Sequence, residues 1–299
     1  MDSIKSSINA AGRPTKKFAL QQLWPLEQDM NIVSFNVNGL RARLHQLKAV
    51  IDKYSPEVIG LQETKVEDAL FPIDQIQGMG YDAIYHGQKS HYGVALLYRI
   101  PIADHMKGLP NNPEDHQRRL IYGKFALNNR TVHVYNGYFP QGENRSHPQK
   151  FPCKKQFYED LIQHISSVHT NGDHIIVMGD MNIAPLERDI GIGDENRKRW
   201  LRSGKCCFLP EERTWLSSLQ SLTLKDSFDY FHPDEPNRFS WFDYRSRGFE
   251  ADPKRGLRID LILASENLLP VATDAGIDYQ IRAMEKPSDH CPIWLSLEP

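Results

Sequence analysis

Polar side chains that could do chemistry stand at the ends of short apolar runs in this sequence. Asp180 and Asn182 follow HIIVMG, Glu63 follows VIGLQ, and Asp260 interrupts RIDLIL. Side chains two apart in a strand face the same way, so we expect Asp180 and Asn182 to share one face of a buried strand. Each acid alone has a plain alternative, because a strand-end carboxylate is more often a cap or loop residue. Asp260 is the strongest single signal, since a buried carboxylate needs a partner or a cation.

The chemistry of the whole set points to a hard metal ion. Oxygen-bearing side chains dominate it, with one histidine and no thiolate, and such ligands favour Mg²⁺ or Mn²⁺ over Zn²⁺. Glu63 is the first choice as the ligand, with an aspartate and water completing the coordination. Because Mg²⁺ uses only one or two carboxylates, the other acids need different roles. The full set is Asn36, Glu63, Tyr138, Asp180, Asn182, Asp260, Asp289 and His290.

His290 is expected to donate a hydrogen bond to a phosphoryl oxygen. Its neighbour Asp289 cannot orient it, because adjacent residues of a strand face opposite ways. The orienting carboxylate must come from another strand, and Asp260 is the candidate; such a pair raises the pKa of the histidine and fixes its tautomer. Asp180, held by Asn182, is then free to position and deprotonate a water. The predicted chemistry is metal-assisted in-line hydrolysis of a phosphate ester.

Composition and charge exclude several classes of protein. Of 299 residues, 40% are hydrophobic and 25% charged, as in ordinary soluble globular proteins. No apolar run approaches the ~20 residues of a membrane helix, so no membrane contact is expected. The four cysteines form neither a CxxC pair nor a zinc spacing, which favours a reduced, cytoplasmic location. Since the formal net charge is −2, a polyanion must be bound by a local basic patch.

The first 29 residues differ in composition from those that follow. They mix Ser, Asn, Lys and Gly with one apolar cluster, Phe18–Leu26, and they lack the apolar region of a signal peptide. We expect residues 1–29 to form a flexible tail and residues 30–299 to form one catalytic domain, since no linker separates the two halves. Met30 stands directly before the first strong strand and is a candidate for the natural start.

Strands, joined by helices and hairpins, must position these residues. Two hairpin signals in the first half argue against an all-parallel sheet. The pattern predicts an α/β fold with two mixed, mainly antiparallel sheets packed face to face and helices outside. PEERTWLSSL is expected to be a short helix, and DENRKRWLRSGK is treated as a long polar segment. The other predicted helices are Arg41–Tyr54 and Pro148–Ser167, and the predicted strands are Asn31–Val37, Val58–Gln62, Ala83–Tyr85, Gly93–Tyr98, Leu120–Phe125, Thr131–Tyr138, His174–Ile183, Arg258–Leu263, Val271–Ile277 and Pro292–Leu297.

Many long motifs, taken in order, resemble the exonuclease III family of AP endonucleases. The likeness is to its bacterial branch, within the DNase I-like endonuclease/exonuclease/phosphatase superfamily, and it covers residues 30–298. The motifs are SFNVNGLRAR, IGLQETKVED, YHGQKSHYGVALL, NGYFPQGE, GDMNIAP, DIGIGDENRKRWLRSGK, RFSWFDYRS, GLRIDLILAS and KPSDHCP. The resemblance implies a four-layer α/β sandwich with a Mg²⁺-dependent site at one end, where Mn²⁺ can substitute.

The same resemblance implies substrates and roles. It implies 3′→5′ removal of nucleotides from double-stranded DNA, incision 5′ to abasic sites, and removal of 3′-phosphates and 3′-sugar fragments. Apart from the resemblance, a monomer with no obligate protein partner is the default expectation. By matching positions, the resemblance implies that Glu63 is the metal ligand, with Asn36 beside it and Asp289 as an accessory acid. It implies that Asp180 activates the water with support from Asn182, and that Asp260 and His290 form the acid–histidine pair. Tyr138 is implied to lie near the scissile phosphate.

Two stretches interleave basic and aromatic residues and are candidates for DNA contact. In Arg197–Lys205 we single out Arg199 and Lys205, which could follow the phosphate backbone without reading sequence. In Arg238–Arg245, Trp241 could wall a pocket for a sugar without its base or a frayed 3′ nucleotide. The alternatives are a solvated face for the first stretch and core positions for Phe239, Trp241 and Phe242 in the second. Gln141 and Arg119 are two further expected duplex contacts.

Two other functions compete with DNA repair. One is another phosphoesterase of the same superfamily, such as an inositol-phosphate or sphingomyelin phosphodiesterase or a digestive DNase. The KRWLR and RFSWFDYR segments and the lack of a signal peptide argue against it. The other is a non-catalytic nucleic-acid-binding module that keeps the fold. This alternative predicts that some of the acidic residues of the site are replaced, yet all of them are present in the sequence.

Overall fold

Twelve strands and seven α-helices carry the part of the chain that the computed structural model describes, which is residues 29–111, 117–127 and 130–299. The strands are β1 (Met30–Asn36), β2 (Val58–Gln62), β3 (Asp82–His86), β4 (Val94–Tyr98), β5 (Ile102–Lys107), β6 (Leu120–Leu127), β7 (Arg130–Tyr138), β8 (His174–Asp180), β9 (Leu224–Asp226), β10 (Asp260–Ser265), β11 (Ala272–Ile277) and β12 (Ile293–Leu297). The helices are α1 (Leu44–Tyr54), α2 (Ile73–Gly78), α3 (Lys150–Val168), α4 (Asp194–Ser203), α5 (Pro210–Gln220), α6 (Ser227–Phe231) and α7 (Tyr279–Arg282).

The strands form two six-stranded sheets of mixed direction. The first has the order β11-β12-β1-β2-β4-β3 and the second has the order β5-β6-β7-β8-β10-β9. Only β1 with β2 and β7 with β8 are parallel among the described pairs, and the others are antiparallel. The expectation of two mixed, mainly antiparallel sheets is confirmed. In each sheet a parallel pair lies at the centre, so the carboxyl ends of its two strands meet at one edge.

Alternation along the strands explains the four layers. In β1, Ile32 joins the apolar cluster that both sheets share, whereas Val33 joins the cluster against α1 and α2. In β8, Met178 faces the shared cluster and Val177 faces α3 and α5. Since successive side chains of a strand point to opposite faces, each sheet buries both faces, one on the other sheet and one on helices. Across the described residues, no helix is long and apolar enough to cross a membrane.

A small polar cluster interrupts the apolar layer between the sheets. Gln62 Nε2 donates to Asn136 Oδ1 over 2.6 Å, and Asn136 Nδ2 donates to the carbonyls of Leu61 and Ala95. Gly60 lies beside them, where an added Cβ would come within 2.5 Å of Met178 Cε and 2.6 Å of Asn136 Oδ1. Here the sheets are joined by hydrogen bonds, at a point where the absence of a side chain allows close approach.

Several elements differ from those expected. The helix expected from Arg41 begins at Leu44, because residues 40–42 form a 3₁₀ turn first. The polar segment DENRKRWLRSGK contains α4, which buries none of its residues and so shows no apolar periodicity. The edge strand β5 and the short β9 had no clear signal. Of the expected tail, residues 1–28 lie outside the described residues, as does the Asn128-Asn129 turn.

Candidate active site

Four of the candidate residues, Asn36, Tyr138, Asp180 and Asp260, stand at the first or last position of a strand. Continuing the inward alternation of Ile32 in β1 gives Asn36, and that of Met178 in β8 gives Asp180. Asp260 at the start of β10 pairs in register with Asp180 across an antiparallel ladder, and Tyr138 at the end of β7 pairs with it across a parallel one. These strands therefore deliver their polar ends to one edge of the sandwich. A cavity of about 610 Å³ opens there, with Glu63, Tyr138, Asp180, Asp289 and His290 in its wall.

Asp260 and His290 form a buried pair. His290 Nδ1 lies 3.0 and 2.9 Å from the two carboxylate oxygens of Asp260. Ser240 Oγ donates to Asp260 Oδ2 over 2.6 Å and accepts the backbone N–H groups of Ile259 and Asp260. Ser240 thus holds the carboxylate that holds the imidazole. Ser240 was not among the predicted site residues, although it stands within the motif RFSWFDYRS.

His290 also approaches Asp180, with Nε2 3.8 Å from Asp180 Oδ2. Burial alone would lower the pKa of His290, but the carboxylates of Asp260 and Asp180 raise it to about 10. At neutral pH the imidazole therefore carries both protons. Its Nδ1–H points at Asp260, which leaves Nε2–H on the side of Asp180 and the cavity.

Asp180 receives two hydrogen bonds. The backbone N–H of Asn182 donates to Oδ1 and Asn36 Nδ2 donates to Oδ2, each over 3.0 Å. Burial raises the pKa of Asp180 to about 8, while the charge of His290 opposes this rise. A carboxylate whose pKa lies near neutrality has the basicity that a proton acceptor needs.

Asn182 supports Asp180 through its backbone and not through its side chain, which corrects the sequence expectation. The strand β8 ends at Asp180, and Asn182 has a φ of 52°, so the rule that places strand side chains two apart on one face does not apply to this pair. Asn182 Nδ2 instead donates to the carbonyl of Phe139 over 3.0 Å. The predicted strand His174–Ile183 is therefore three residues too long.

Asn36 lies beside Glu63, as the resemblance implied, but it presents its nitrogen. Its Nδ2 donates to Glu63 Oε1 and to Asp180 Oδ2, each over 3.0 Å, while its Oδ1 accepts the backbone N–H of Asn38. The backbone N–H can only donate, so it fixes which end of the amide faces the acids. Asn36 is a hydrogen-bond donor between the acids and not an oxygen ligand in this arrangement.

Glu63, Asp180 and His290 are the group that could hold a cation. One ligand atom from each lies within 4.8 Å of the others. Glu63 has a φ of 50°, an uncommon conformation for a non-glycine residue that turns it out of the strand direction. Lys65 Nζ lies 2.8 Å from Glu63 Oε2 and balances part of the negative charge. Of the three groups, His290 has its Nδ1 bound by Asp260, so Nε2 is the ring nitrogen that faces the two carboxylates.

Asp289 stands apart from that group. Its Oδ1 accepts a hydrogen bond from Asn38 Nδ2 over 2.8 Å, and its Oδ2 accepts one from Trp241 Nε1 over 3.1 Å. The structure thus places Asp289 in the cavity wall, with both oxygens engaged by the protein. Trp241 is half-buried beside it, whereas Phe239 and Phe242 are fully buried core residues.

Tyr138 and Arg119 stack against each other. Burial, together with Glu63 and Asp180, raises the pKa of Tyr138 well above its usual range, so the phenol keeps its proton. The guanidinium of Arg119 lies 4.7 Å from the Tyr138 ring and 4.1 Å from the Tyr92 ring, and it donates to the Tyr138 carbonyl. Arg119 is only 8% exposed. Arg119 therefore supports Tyr138 from the protein side, and its contact with the duplex stays a prediction.

The remaining candidates for DNA contact line the same cavity. Gln141, Arg199, Lys205 and Trp241 all line it. Lys205 Nζ sits 3.8 Å above the ring of Trp200, which is stacked on the buried Phe208. This wall combines exposed cations with a fixed aromatic face.

Comparison with known proteins agrees with this geometry. The family model described as Endonuclease/Exonuclease/phosphatase family matches residues 33–290. The chain is 55% identical to exodeoxyribonuclease III of Haemophilus influenzae over 265 residues, which covers 89% of this chain and 98% of that protein. It is 28% identical to an exodeoxyribonuclease of Bacillus subtilis, over 89% of this chain and 98% of that protein.

Solved structures show the same fold. The 3′-5′ exonuclease NExo of Neisseria meningitidis superposes with a TM-score of 0.82 at 34% identity, over 90% of this chain and 100% of that one. An AP endonuclease of Archaeoglobus fulgidus gives a TM-score of 0.82 at 30% identity, with the same two coverages. A variant of the Neisseria 3′ phosphatase NExo, bound to a product DNA hairpin, gives 0.80 at 35% identity, over 90% and 99% of the two chains. The protein therefore belongs to the endonuclease/exonuclease/phosphatase family, as a homologue of exodeoxyribonuclease III.

Proposed function

We propose that this protein is a Mg²⁺-dependent DNA-repair phosphodiesterase. It removes nucleotides 3′→5′ from duplex DNA, cuts 5′ to abasic sites, and removes 3′-phosphates and 3′-sugar fragments. The observation that carries the proposal is the convergence of Glu63, Asp180 and the Asp260–His290 pair at one mouth of a cavity about 610 Å³ in volume. The relatives that share the fold bear the names of a 3′-5′ exonuclease, a 3′ phosphatase and AP endonucleases.

The residues present fit a hard divalent cation. Glu63 would hold it, with Asp180 close enough to approach the same ion. The Glu63 carboxylate accepts hydrogen bonds from Asn36, Lys65 and Tyr138, and its about four lone-pair sites leave capacity for a metal. The cavity also contains Cys207, but burial raises the pKa of this thiol to about 12, so it offers no thiolate. Oxygen donors of this kind favour Mg²⁺, and Mn²⁺ can substitute.

The protein's own groups divide the work of in-line hydrolysis. Asp180, oriented by the Asn182 N–H and by Asn36, takes a proton from the attacking water. His290 donates Nε2–H to a phosphoryl oxygen, because Asp260 holds its other nitrogen. Tyr138, whose phenol keeps its proton, supplies a second donor, a neutral one, near the same phosphate. When bound, Mg²⁺ would stabilise negative charge on the phosphoryl oxygens and favour the ionised form of Asp180.

The wall of the cavity favours DNA over a small phosphate ester. Arg199 and Lys205 are exposed cations that line the cavity together with Trp200 and Trp241. Cations of this kind follow a phosphate backbone, and aromatic faces suit an extruded sugar or base. An inositol-phosphate or sphingomyelin phosphodiesterase would not need this wall. A non-catalytic module would not need hydrogen bonds that fix the orientation of the Asp180 and His290 side chains.

We further propose that residues 30–299 act as one catalytic unit and as a monomer. The core cluster shared by both sheets includes Met30 and Leu297, so both ends of this range contribute to one interior. Light scattering of the full chain, with and without duplex DNA, tests the monomer. A stable dimer at micromolar concentration would contradict it.

The test of function uses a duplex with one abasic site and a matched intact duplex, each 5′-labelled on the strand to be cut. With Mg²⁺ we expect a single product that ends 5′ to the abasic site, formed much faster than any cut in the intact duplex. Blunt 3′ ends should shorten by single nucleotides, and EDTA should abolish both reactions. Absence of incision, or equal internal cutting of the intact duplex, would overturn the proposal.

A further inference from the structure

A fully buried ion pair lies directly behind the catalytic carboxylate. Lys154 on α3 and Glu212 on α5 are both 0% exposed, and Lys154 Nζ donates to Glu212 Oε1 over 2.5 Å. Burying two charges costs several kcal/mol of desolvation, and such pairs are often no more stable than apolar side chains of similar size. Linking two helices therefore does not by itself account for this pair.

The ammonium group of Lys154 has two further acceptors, and both belong to the cavity wall. Nζ donates to the carbonyl of Asn182 over 2.8 Å and to the carbonyl of Gln141 over 3.3 Å. Three protons thus meet three acceptors, which leaves the group without rotational freedom. Glu212 is held in turn, because its Oε2 accepts the backbone N–H of Leu209.

The carbonyl that Lys154 holds belongs to the residue that orients Asp180. Asn182 donates its backbone N–H to Asp180 Oδ1 and directs its own carbonyl at Lys154, so the residue is fixed at both ends. Its φ of 52° is a conformation that a non-glycine residue keeps only when its surroundings impose it.

A second side chain on the same face of α3 acts on the preceding carbonyl. Tyr158, four residues after Lys154, donates its hydroxyl to the carbonyl of Met181 over 2.9 Å. Residues four apart lie on one face of a helix. The helix α3 therefore presents two donors to two consecutive carbonyls, directly after Asp180.

We propose that Lys154, braced by Glu212, and Tyr158 are positioning residues that fix the backbone after Asp180 and so aim its carboxylate at the attacking water. The inference rests on the proposed function, since it takes Asp180 as the group that activates water. None of the three side chains lines the cavity, so none contacts the substrate.

The first test is the double variant Lys154→Met/Glu212→Gln. Both charges are removed together, because Lys154→Met alone leaves a buried carboxylate unpaired and risks misfolding. We expect kcat for abasic-site incision to fall about 10- to 100-fold, as for small misplacements of a catalytic group, with KM within about two-fold of wild type. Lys155→Met is the matched control, since Lys155 is the next residue of α3, is 54% exposed and pairs with Glu159; its kcat should equal that of wild type.

The second test distinguishes an effect on the orientation of the Asp180 carboxylate from a general loss of protein stability. In an Asp180→Asn background the double change should reduce kcat by less than about two-fold, because there is no base left to aim. Tyr158→Phe leaves all charges in place and should lower kcat about five-fold, the loss of roughly one hydrogen bond. It decides the question if the double variant fails to fold.

Each outcome bears on one claim. If the wild type does not cut the abasic duplex, the proposed function fails. If the wild type cuts but Tyr158→Phe and the folded double variant retain its kcat, the positioning role is wrong. A rise in KM without a fall in kcat would also overturn it. So would a double variant that lowers kcat by the same factor in the Asp180→Asn background as in the wild type.

Discussion

The side-chain nitrogen of Asn36 lies 3.0 Å from Glu63 Oε1 and 3.0 Å from Asp180 Oδ2. Glu63 directly follows β2 of the first sheet, and Asp180 ends β8 of the second. One neutral amide therefore joins the candidate metal ligand to the candidate base, across the gap between the sheets. The two acids have separate roles, and the following variants test each one.

Asp180→Asn should abolish turnover and preserve binding. The variant keeps the shape of the side chain but cannot take a proton from water, so we expect kcat to fall by about 10²- to 10⁴-fold. Single-turnover incision of an abasic duplex measures the rate, and fluorescence anisotropy measures the affinity for the same DNA. Near-normal turnover would show that another group activates the water.

Glu63→Ala should change the metal requirement. The loss of the candidate ligand should raise the Mg²⁺ concentration for half-maximal activity by more than about ten-fold. Removing even a residue that only hydrogen-bonds to a metal ligand typically lowers metal affinity by about that factor. A Mg²⁺ titration of incision measures it. Glu159→Ala, on the exposed Lys155–Glu159 pair of α3, should leave the titration unchanged. An unaltered curve for Glu63→Ala would remove it from the metal site.

Arg199→Ala and Lys205→Ala should each weaken DNA binding in a salt-dependent way. If each cation neutralises one phosphate, the slope of log affinity against log salt should become shallower by about one unit per variant. Lys198→Ala is the control from the same helix, because Lys198 pairs with Glu195 and does not line the cavity. If the slope of log affinity against log salt were the same for Arg199→Ala and Lys198→Ala, Arg199 would not contact the DNA.

Three histidines around the carboxyl-terminal end of α3, His133, His164 and His169, should make the fold sensitive to mild acid. Burial lowers the pKa of His133 to about 4, and burial and a neighbouring histidine also lower the pKa of His164; the pKa of His169 is lowered by burial against the opposing pull of Asp173. For each ring the unfolded chain binds a proton more readily than the folded one, so stability is full above about pH 6.5 and falls as pH drops toward 4.

Urea unfolding between pH 7 and pH 4.5 measures this loss. His133→Gln should flatten the dependence in that window, because it removes the ring whose pKa burial lowers to about 4. His105→Gln, at an exposed position of the edge strand β5, should leave the dependence as it is. A wild-type midpoint that does not move between pH 7 and pH 5 would contradict the prediction.

The sequence predicted best those elements whose ends carry strong local signals. The strand Val58–Gln62 was predicted to the residue, because a helix stop before it and Glu63 after it frame a continuous apolar run. The helix α4 was not predicted, since with no buried residue it has no apolar stripe. Its start could have been found, because Gly193 precedes it and Asp194 and Glu195 occupy its first turn.

For the site, the sequence predicted residue types better than their contacts. Asp260 was named from the sequence as the candidate partner of His290, because a buried carboxylate in a strand needs a partner, and the two side chains do pair although His290 lies outside the described strands. The turned amide of Asn36 depends on the backbone N–H of Asn38, and the role of Asn182 depends on a positive φ. Such features arise from backbone geometry after a strand ends, where no periodicity applies. Lys154 gave no signal either, because a lysine in a helix is ordinarily exposed.

The contact at Gly60 sets a rule for recombining this protein with its relatives. Gly60 and Gln62 belong to the first sheet, whereas Asn136 and Met178 belong to the second, and no Cβ fits between them. A chimera that takes the segment of β5–β10 from another member must therefore bring partners that match Gly60 and Gln62 in size and in hydrogen bonding. Exchanging a whole sheet without these residues would displace Glu63 relative to Tyr138. The residues that must be exchanged together are therefore set by contacts in the interior and not by the position of a surface loop.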